Sequence, residues 1–487
     1  MPKVGMVSLG CPKNLVDSEV MLGILARHGY ELTPRAEEAD VLVVNTCAFI
    51  EPAKRESIET ILEMAEYKKF GAAKRLVVAG CLVERYREDI LREIPEVDFV
   101  MGTNELESVL VACAEDARRE SLAQQGASRG RARSAGGTAQ PYLYHDSTPR
   151  VRSTPPYSAY IKIAEGCDHP CSFCVIPQMR GRFRSRRFAS VLREAEHLAR
   201  QGVRELTIVG QDTTSYGEDL GLRDGLTMLL RALGKIPELV WVRFLYCYPN
   251  RVTDALIEAV AETPKVAKYF DIPLQHASGR MLKLMRRGSS GERFLRLLEK
   301  LRTAIPNVAL RSSFIVGFPG ETEEDFQTLL EFVAAAQFDH LGVFLYSNEE
   351  ASGSFLLPAQ VPAGVARRRQ RKLMVLQRTI SRRKLRQRIG QTQMLLVEGR
   401  SDETELLFQG RLESQAPGID GHVLINDFEG AEPLPGEFRW AALTRSGDYD
   451  LVARLTDRIA VEAPRQVVST LPQAAGFVQI QPAALPV

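Results

Sequence analysis

No apolar run in the 487 residues approaches the ~18 needed for a membrane-crossing helix, so no membrane partner is expected. The opening Met1-Pro2-Lys3-Val4-Gly5 leads into a strand-like run and lacks the apolar core of a secretory signal. Charge of one sign is not in excess either. With a net charge of +2, any attraction to nucleic acid has to be local. These absences together give the expectation of a cytoplasmic protein. Disulfides are rare in that compartment, so the eight cysteines suit metal binding or catalysis better. Hydrophobic residues at 45% and charged residues at 25% are ordinary for a globular chain, and the length suits roughly three domains.

Three of the cysteines share one short loop, Cys167-Asp168-His169-Pro170-Cys171-Ser172-Phe173-Cys174, with the spacing C-x3-C-x2-C. A closed structural zinc site takes four protein ligands, whereas a reactive metal site keeps a position open. Three thiols therefore suit a four-iron cluster with one iron left for a substrate or cofactor. A zinc site of the three cysteines with His169 is the alternative that the spacing leaves open.

Residues 1 to about 110 alternate strand and helix signals, with strands at 3–10, 41–45, 75–80 and 97–102 and helices at 14–28 and 52–69. Alternation of this kind implies a parallel sheet. Cys11, Cys47 and Cys81 follow the first three strands. Ligands of open parallel sheets gather at the carboxyl ends of the strands, which favours a second three-cysteine metal site over three buried small hydrophobes. Cys113 and Cys247 read as packing residues.

The alternation resumes from 157 to about 347, with strands at 160–165, 205–210, 241–246, 269–274, 309–316 and 340–346. Six β/α units fit an open barrel whose site lies at the carboxyl ends of the strands. Five short strands follow between 391 and 455. The expected class is thus α/β: an N-terminal open parallel α/β sheet, a central partial (β/α)6 TIM-like barrel and a C-terminal small OB-like β-barrel. The expected boundaries are 2–118, a flexible linker at 119–152 rich in Gly, Ser, Ala and Arg over 124–140, then 153–386, 387–458 and a frayed tail at 459–487. Two basic runs stand out. Residues 367–388 hold eleven Lys or Arg and no acid on a helix with one apolar stripe, suited to nucleic-acid contact or to plain packing on the barrel. Arg180, Arg182, Arg184, Arg186 and Arg187 suit steering of an acidic partner or a solvated loop.

The segment from Ile163-Ala164-Glu165-Gly166-Cys167 through Cys174 resembles the signature of the radical S-adenosylmethionine enzymes. Ser8-Leu9-Gly10-Cys11-Pro12-Lys13-Asn14, Asn45-Thr46-Cys47 and Gly80-Cys81 resemble the N-terminal domain of the methylthiotransferases within that superfamily. Gly210-Gln211-Asp212-Thr213-Thr214, the Asp-Ile-Pro-Leu-Gln-His-Ala-Ser at 271–278 and the Phe-Ile-Val-Gly-Phe-Pro-Gly-Glu-Thr at 314–322 are similar to the same family, and the C-terminal β segment to its TRAM domain. Cys-Pro-Lys-Asn at 11–14, Gln-Asp-Thr at 211–213 and Gln-His-Ala-Ser at 275–278 look like the RimO branch. The sister MiaB branch reads Cys-Gln-Met-Asn, Gln-Asn-Val-Asn and Gln-Ser-Gly-Ser there. The 124–140 insertion and the tail depart from the family outside its motifs.

The resemblance implies methylthiolation of the β-carbon of an aspartate in ribosomal protein S-twelve of the small subunit. The alternative is a tRNA methylthiotransferase acting on isopentenyladenosine. It implies two 4Fe-4S clusters, one on Cys167, Cys171 and Cys174 and one on Cys11, Cys47 and Cys81, with S-adenosyl-L-methionine as radical source and methyl donor. No catalytic residue is expected beyond the cluster ligands. Gln211, Gln275, Ser278 and Arg311 at strand ends, with Gly317, are candidates for holding the cofactor. An electron donor and an unspecified sulfur donor complete the expected partners, with direct RNA contact as a further one.

Overall fold

The computed structural model describes residues 1–114 and 142–464. The Gly/Ser/Ala/Arg-rich insertion at 124–140 and all of the expected tail beyond 464 lie outside the described residues. Among the described residues no helix is long and apolar enough to cross a membrane.

The N-terminal unit is a sheet of β1 (Lys3–Ser8), β2 (Glu31–Leu32), β3 (Val41–Thr46), β4 (Arg75–Gly80) and β5 (Phe99–Met101), in the order β2-β1-β3-β4-β5 and parallel throughout. The near-continuous apolar runs of β3 and β4 are buried, as strands covered on both faces require. Helices Pro12–Arg27 and Val109–Cys113 pack on one face, Glu51–Phe70 and Cys81–Glu93 on the other. This order reverses direction between β1 and β3, where a doubly wound sheet opens its ligand crevice. Cys113 is buried at a helix end, in the packing role expected of it.

The central unit begins with β6 (Ser158–Lys162). The strand expected over 160–165 breaks after Lys162, and β7 (Ala164–Glu165) pairs antiparallel with β8 (Arg184–Ser185). Arg186 donates its backbone N–H to the Ile163 carbonyl at 2.8 Å, so this short ladder closes both ends of the cysteine loop. Then follow β9 (Glu205–Val209), β10 (Trp241–Phe244), β11 (Tyr269–Asp271), β12 (Ala309–Val316) and β13 (His340–Leu345). The sheets β10-β9-β6 and β11-β12-β13 are both parallel, and a parallel bridge between Val242 and Val266 joins them. Six strands running one way form the expected open barrel.

Helix Ala363–Arg386 buries Leu373 and Ile380 in the core of the central unit. It leads to β14 (Thr392–Ser401), β15 (Thr404–Leu412), β16 (Val423–Phe428), β17 (Phe438–Ser446) and β18 (Leu451–Val461), which close a five-stranded barrel. Its 413–422 loop enters the amino-terminal end of the central barrel. Ala416 packs beside Tyr269, and Tyr160 and Tyr269 donate their hydroxyls to Pro417 O at 3.2 Å and Asp420 Oδ2 at 2.8 Å. Beside it, buried Glu205 at the start of β9 receives Arg411 Nη2 at 2.5 Å, with Arg243 Nη2 at 3.4 Å.

Residues 142–152, expected as the end of a flexible linker, are instead an interface. Tyr144 and Val151 are buried, and Arg150 donates to Glu19 at 2.8 Å and Glu194 at 2.7 Å. A side chain on Gly23 would meet the Pro149 carbonyl at 2.4 Å, so the missing Cβ lets this segment cross the first helix.

Removing one member of a buried ion pair leaves an uncompensated charge, costing about 3–5 kcal/mol. Arg411→Met is therefore expected to lower unfolding stability by about that amount. Denaturation followed by fluorescence checks it, because Trp241 packs edge-on against Phe438 of the C-terminal barrel at this interface. An unchanged midpoint would deny the pair its role.

Candidate functional site

The N-terminal cysteines sit where the parallel strands end. Cys11 caps helix Pro12–Arg27, Cys47 follows β3, and Cys81 is the first residue of helix Cys81–Glu93. Gly10 has φ +84°, and a Cβ there would lie 2.7 Å from the Cys47 Cβ, so only glycine allows the two cysteine loops to approach this closely. Asn14 holds them together, donating from Nδ2 to Leu9 O at 2.7 Å and Thr46 O at 3.1 Å. Burial pushes the Cys47 thiol up to about 12, helped by Cys81 and Cys11. Burial raises Cys81 too. At Cys11 burial acts in the same direction, but Lys13 and Arg180 outweigh it and the thiol lies below its ordinary value.

The second trio lies in the loop that β7 and β8 close. Cys167 donates its N–H to Gly181 O at 3.2 Å, and Arg287 Nη1 donates to Cys171 Sγ at 3.4 Å. Burial raises Cys167 to about 11 and Cys174 to about 12. His169 is engaged elsewhere. Its ring stacks on Tyr248 at 3.6 Å between centroids, and Nε2 lies 2.6 Å from Asp212 Oδ2. Among the described residues, no three His, Cys, Asp or Glu side chains are placed to hold a metal ion. A single zinc needs every ligand within about 2.0–2.3 Å of one point. Thiolates of a four-iron cluster bind separate irons and stand further apart. Each set offers three thiols, one of them touched by an arginine, Cys81 by Arg180 and Cys171 by Arg287, a donor set of the kind that four-iron clusters take.

Between the trios runs a buried ionic network. Arg180 Nη1 donates to Asp17 Oδ2 at 2.8 Å and to Glu165 Oε2 at 3.1 Å, while Nη2 donates to Asn14 Oδ1 at 2.8 Å and Cys81 Sγ at 3.5 Å. Lys162 Nζ also bonds Asp17, and reaches Glu165 Oε2 at 2.5 Å. Burial opposes ionisation of Glu165, but Arg180 and Lys162 outweigh it and hold the carboxyl well below the usual range. Gln211 joins through Nε2, 2.6 Å from Glu165 Oε1, and its buried Oε1 has no hydrogen-bond partner among the described residues. The basic run at 180–187 thus divides. Arg180 and Arg186 are buried, the latter on Glu194 at 2.5 Å, and so unavailable for steering, whereas Arg182 and Arg187 are exposed.

The remaining candidates are spread out. Gln275 takes φ +74° beyond β11, bonding Ser313 and Ile315 through its backbone. Ser278 caps helix Gly279–Leu284 and donates to Asp325 Oδ1 at 2.6 Å. Arg311 lies lower in the barrel, 3.0 Å from Asp271 and 3.5 Å from Asp420. Gly317 has φ +80°, and a Cβ would meet Ala366 at 2.6 Å, so the glycine admits helix Ala363–Arg386. Residues not foreseen are Asp17, Lys162, Glu165, Arg287, and Lys13, whose Nζ sits 3.4 Å over the Tyr246 ring.

Residues 3–102 match the uncharacterized protein family UPF0004, 161–333 the radical SAM superfamily, and 389–456 the TRAM domain. The chain is 55% identical over 481 residues to the ribosomal protein uS12 methylthiotransferase RimO of Solibacter usitatus (strain Ellin6076), covering 98% of this chain and 99% of that one. It is 54% identical over 484 residues to the protein of the same name from Koribacter versatilis (strain Ellin345), covering 93% and 96%. It also resembles, at 15% identity and a TM-score of 0.49, the radical S-adenosylmethionine methyltransferase TsrM of Kitasatospora setae solved with tryptophan and a cofactor analogue, over 71% of this chain and 73% of that chain.

Arg180→Met leaves Asp17 and Glu165 to share Lys162 alone. The expected loss is about 3–5 kcal/mol of stability, read by denaturation against the exposed control Arg187→Met. Equal stability of the two variants would contradict the network's importance.

Proposed function

The chain belongs to the RimO family of ribosomal protein uS12 methylthiotransferases, and on that basis we propose that it attaches a methylthio group to the β-carbon of an aspartate of uS12. Membership of the radical SAM superfamily brings a 4Fe-4S cluster and S-adenosyl-L-methionine. Cys167, Cys171 and Cys174 would hold that cluster, and Cys11, Cys47 and Cys81 a second one. When bound, the pair supplies an electron to S-adenosyl-L-methionine on one side and sulfur on the other. The observation that carries this reading is one buried network that reaches Cys81 through Arg180 and the segment leading into the 167–174 loop through Glu165.

The chain's own residues bind, orient and exclude water. Arg287 and Arg180 donate to Cys171 and Cys81, offsetting negative charge on thiolate sulfur. The Gln211 amide oxygen, unpartnered among the described residues, suits accepting from an ammonium or hydroxyl group. Lys13 over Tyr246 ties the start of the first helix, beside Cys11, to the barrel. Gln275, at a positive φ beyond β11, is a cofactor contact, and Ser278 and Gly317 shape the loops beside it, whereas Arg311 supports the barrel from below. The proposed reaction is cytoplasmic, and a reduced electron donor and a sulfur donor act in it with the enzyme. The exposed Arg367, Arg368 and Arg371 of helix Ala363–Arg386 offer a contact for ribosomal RNA.

Anaerobically purified protein is expected to be brown, with about eight irons per chain from two four-iron clusters. Joint replacement of Cys11, Cys47 and Cys81 by alanine should keep about half the iron and the cleavage of S-adenosyl-L-methionine, yet abolish the mass gain of uS12. Unchanged iron would sink the second cluster. A deletion strain that loses a tRNA methylthio group while uS12 stays modified would overturn the substrate.

A further inference from the structure

We propose that the concave basic surface on the outer side of the cysteine loop docks an acidic one-electron carrier protein. The inference rests on the function proposed above, which needs an electron from outside. Helix Gly279–Leu284, the turn after it and the start of helix Gly291–Ala304 frame two adjoining clefts of about 460 and 610 Å3. Arg280, Lys283, Arg286 and Arg293 line them, and no carboxylate does. Arg280 is paired with Asp325, whereas Lys283, Arg286 and Arg293 are exposed and form no salt bridge among the described residues.

The surface abuts the second trio. Ser172, inside the cysteine loop, lines the first cleft and bonds Met285 O at 3.1 Å and Leu284 O at 2.8 Å. Arg286 takes φ +55°, and the chain reverses there. Arg286 faces the cleft, while Arg287, the next residue, is buried and donates to Cys171 Sγ at 3.4 Å. The basic rim is therefore one residue from an arginine that touches a cluster sulfur. Leu284 and Leu357 add apolar surface within the rim. No residue of 1–114 or of the C-terminal barrel lines either cleft, so a partner reaches the loop without displacing them.

Redox encounters use small, weak interfaces, and complementary charge speeds their formation. In the step proposed the carrier is oxidised by one electron and the site beneath the patch is reduced by one. No atom or proton changes hands. RNA is also anionic, but closeness to Cys171 serves electron transfer and has no bearing on RNA binding, so the carrier is favoured.

The test uses the full-length, cluster-loaded enzyme with an acidic flavodoxin as probe. Joint substitution Lys283→Glu, Arg286→Glu and Arg293→Glu is expected to weaken calorimetric affinity for the flavodoxin at low salt at least tenfold. It should slow flavodoxin-driven bleaching of the visible absorbance by a similar factor and flatten its salt dependence. Photoreduction by a deazaflavin, iron content and unfolding midpoint should stay as in the parent enzyme, and Lys283→Glu alone should fall between. Unchanged flavodoxin affinity in a folded, iron-loaded variant overturns the proposal. So does intact flavodoxin affinity with lost ribosome binding, which would assign the surface to RNA. Absence of iron or of deazaflavin-driven cofactor cleavage in the parent enzyme would instead overturn the function on which the proposal rests.

Discussion

Two carboxylates, Asp17 and Glu165, lie buried between the N-terminal sheet and the central barrel, and Lys162 and Arg180 are the cations that make their burial tolerable. Each unit alone would leave charges uncompensated. Asp17 belongs to the first helix, Lys162 and Glu165 to the start of the barrel, and Arg180 to the far side of the cysteine loop. Only the docked arrangement satisfies all four. A buried network of this kind adds little net stability over an apolar contact, but penalises any other docking geometry heavily. The position of one cysteine trio relative to the other follows from that penalty.

The docking is repeated at the opposite edge of the barrel. Glu349, just past β13, is buried against Arg85 at 2.6 Å and Lys54 at 3.1 Å, and Ser347 Oγ accepts the Glu51 backbone N–H at 3.0 Å. The N-terminal unit thus grips both edge strands of a barrel that its own six strands do not close. At the other end, the loop from the C-terminal barrel fills the opening. Arg311 joins Asp420 of that loop to Asp271, and Asp271 Oδ2 accepts the Tyr246 N–H at 3.0 Å, close under Lys13. A continuous polar column therefore runs from the C-terminal domain through the lumen to the first trio. Arg311 is a member of this column, which is why it stands apart from the cysteine loop.

The order of elements was legible from residue patterns because those patterns are local. The apolar runs of β3 and β4, the first helix and the five strands of the C-terminal barrel all lie where periodicity and turn residues set them. The break of the first barrel strand after Lys162 was not legible, because its cause is pairing with Arg184 and Ser185 beyond the cysteine loop. The basic run at 180–187 shows the same limit. Five arginines spaced along a short stretch look alike in sequence, yet Arg180 is turned inward by Asp17, 163 positions away.

What the sequence by itself determined is the chemistry on offer: two sets of three thiols, one in a loop and one at three strand ends, in an α/β chain. Spacing and strand position suffice for that, since both are short-range properties. Only the tertiary structure decided which polar groups serve the site and which serve the scaffold. Gln211 was placed beside Glu165 with an unsatisfied oxygen, Ser278 on a helix cap, Gly317 under a crossing helix and Arg287 on Cys171. Those assignments depend on partners brought together by folding, and the cost of burying an unpaired charge or dipole makes each of them specific.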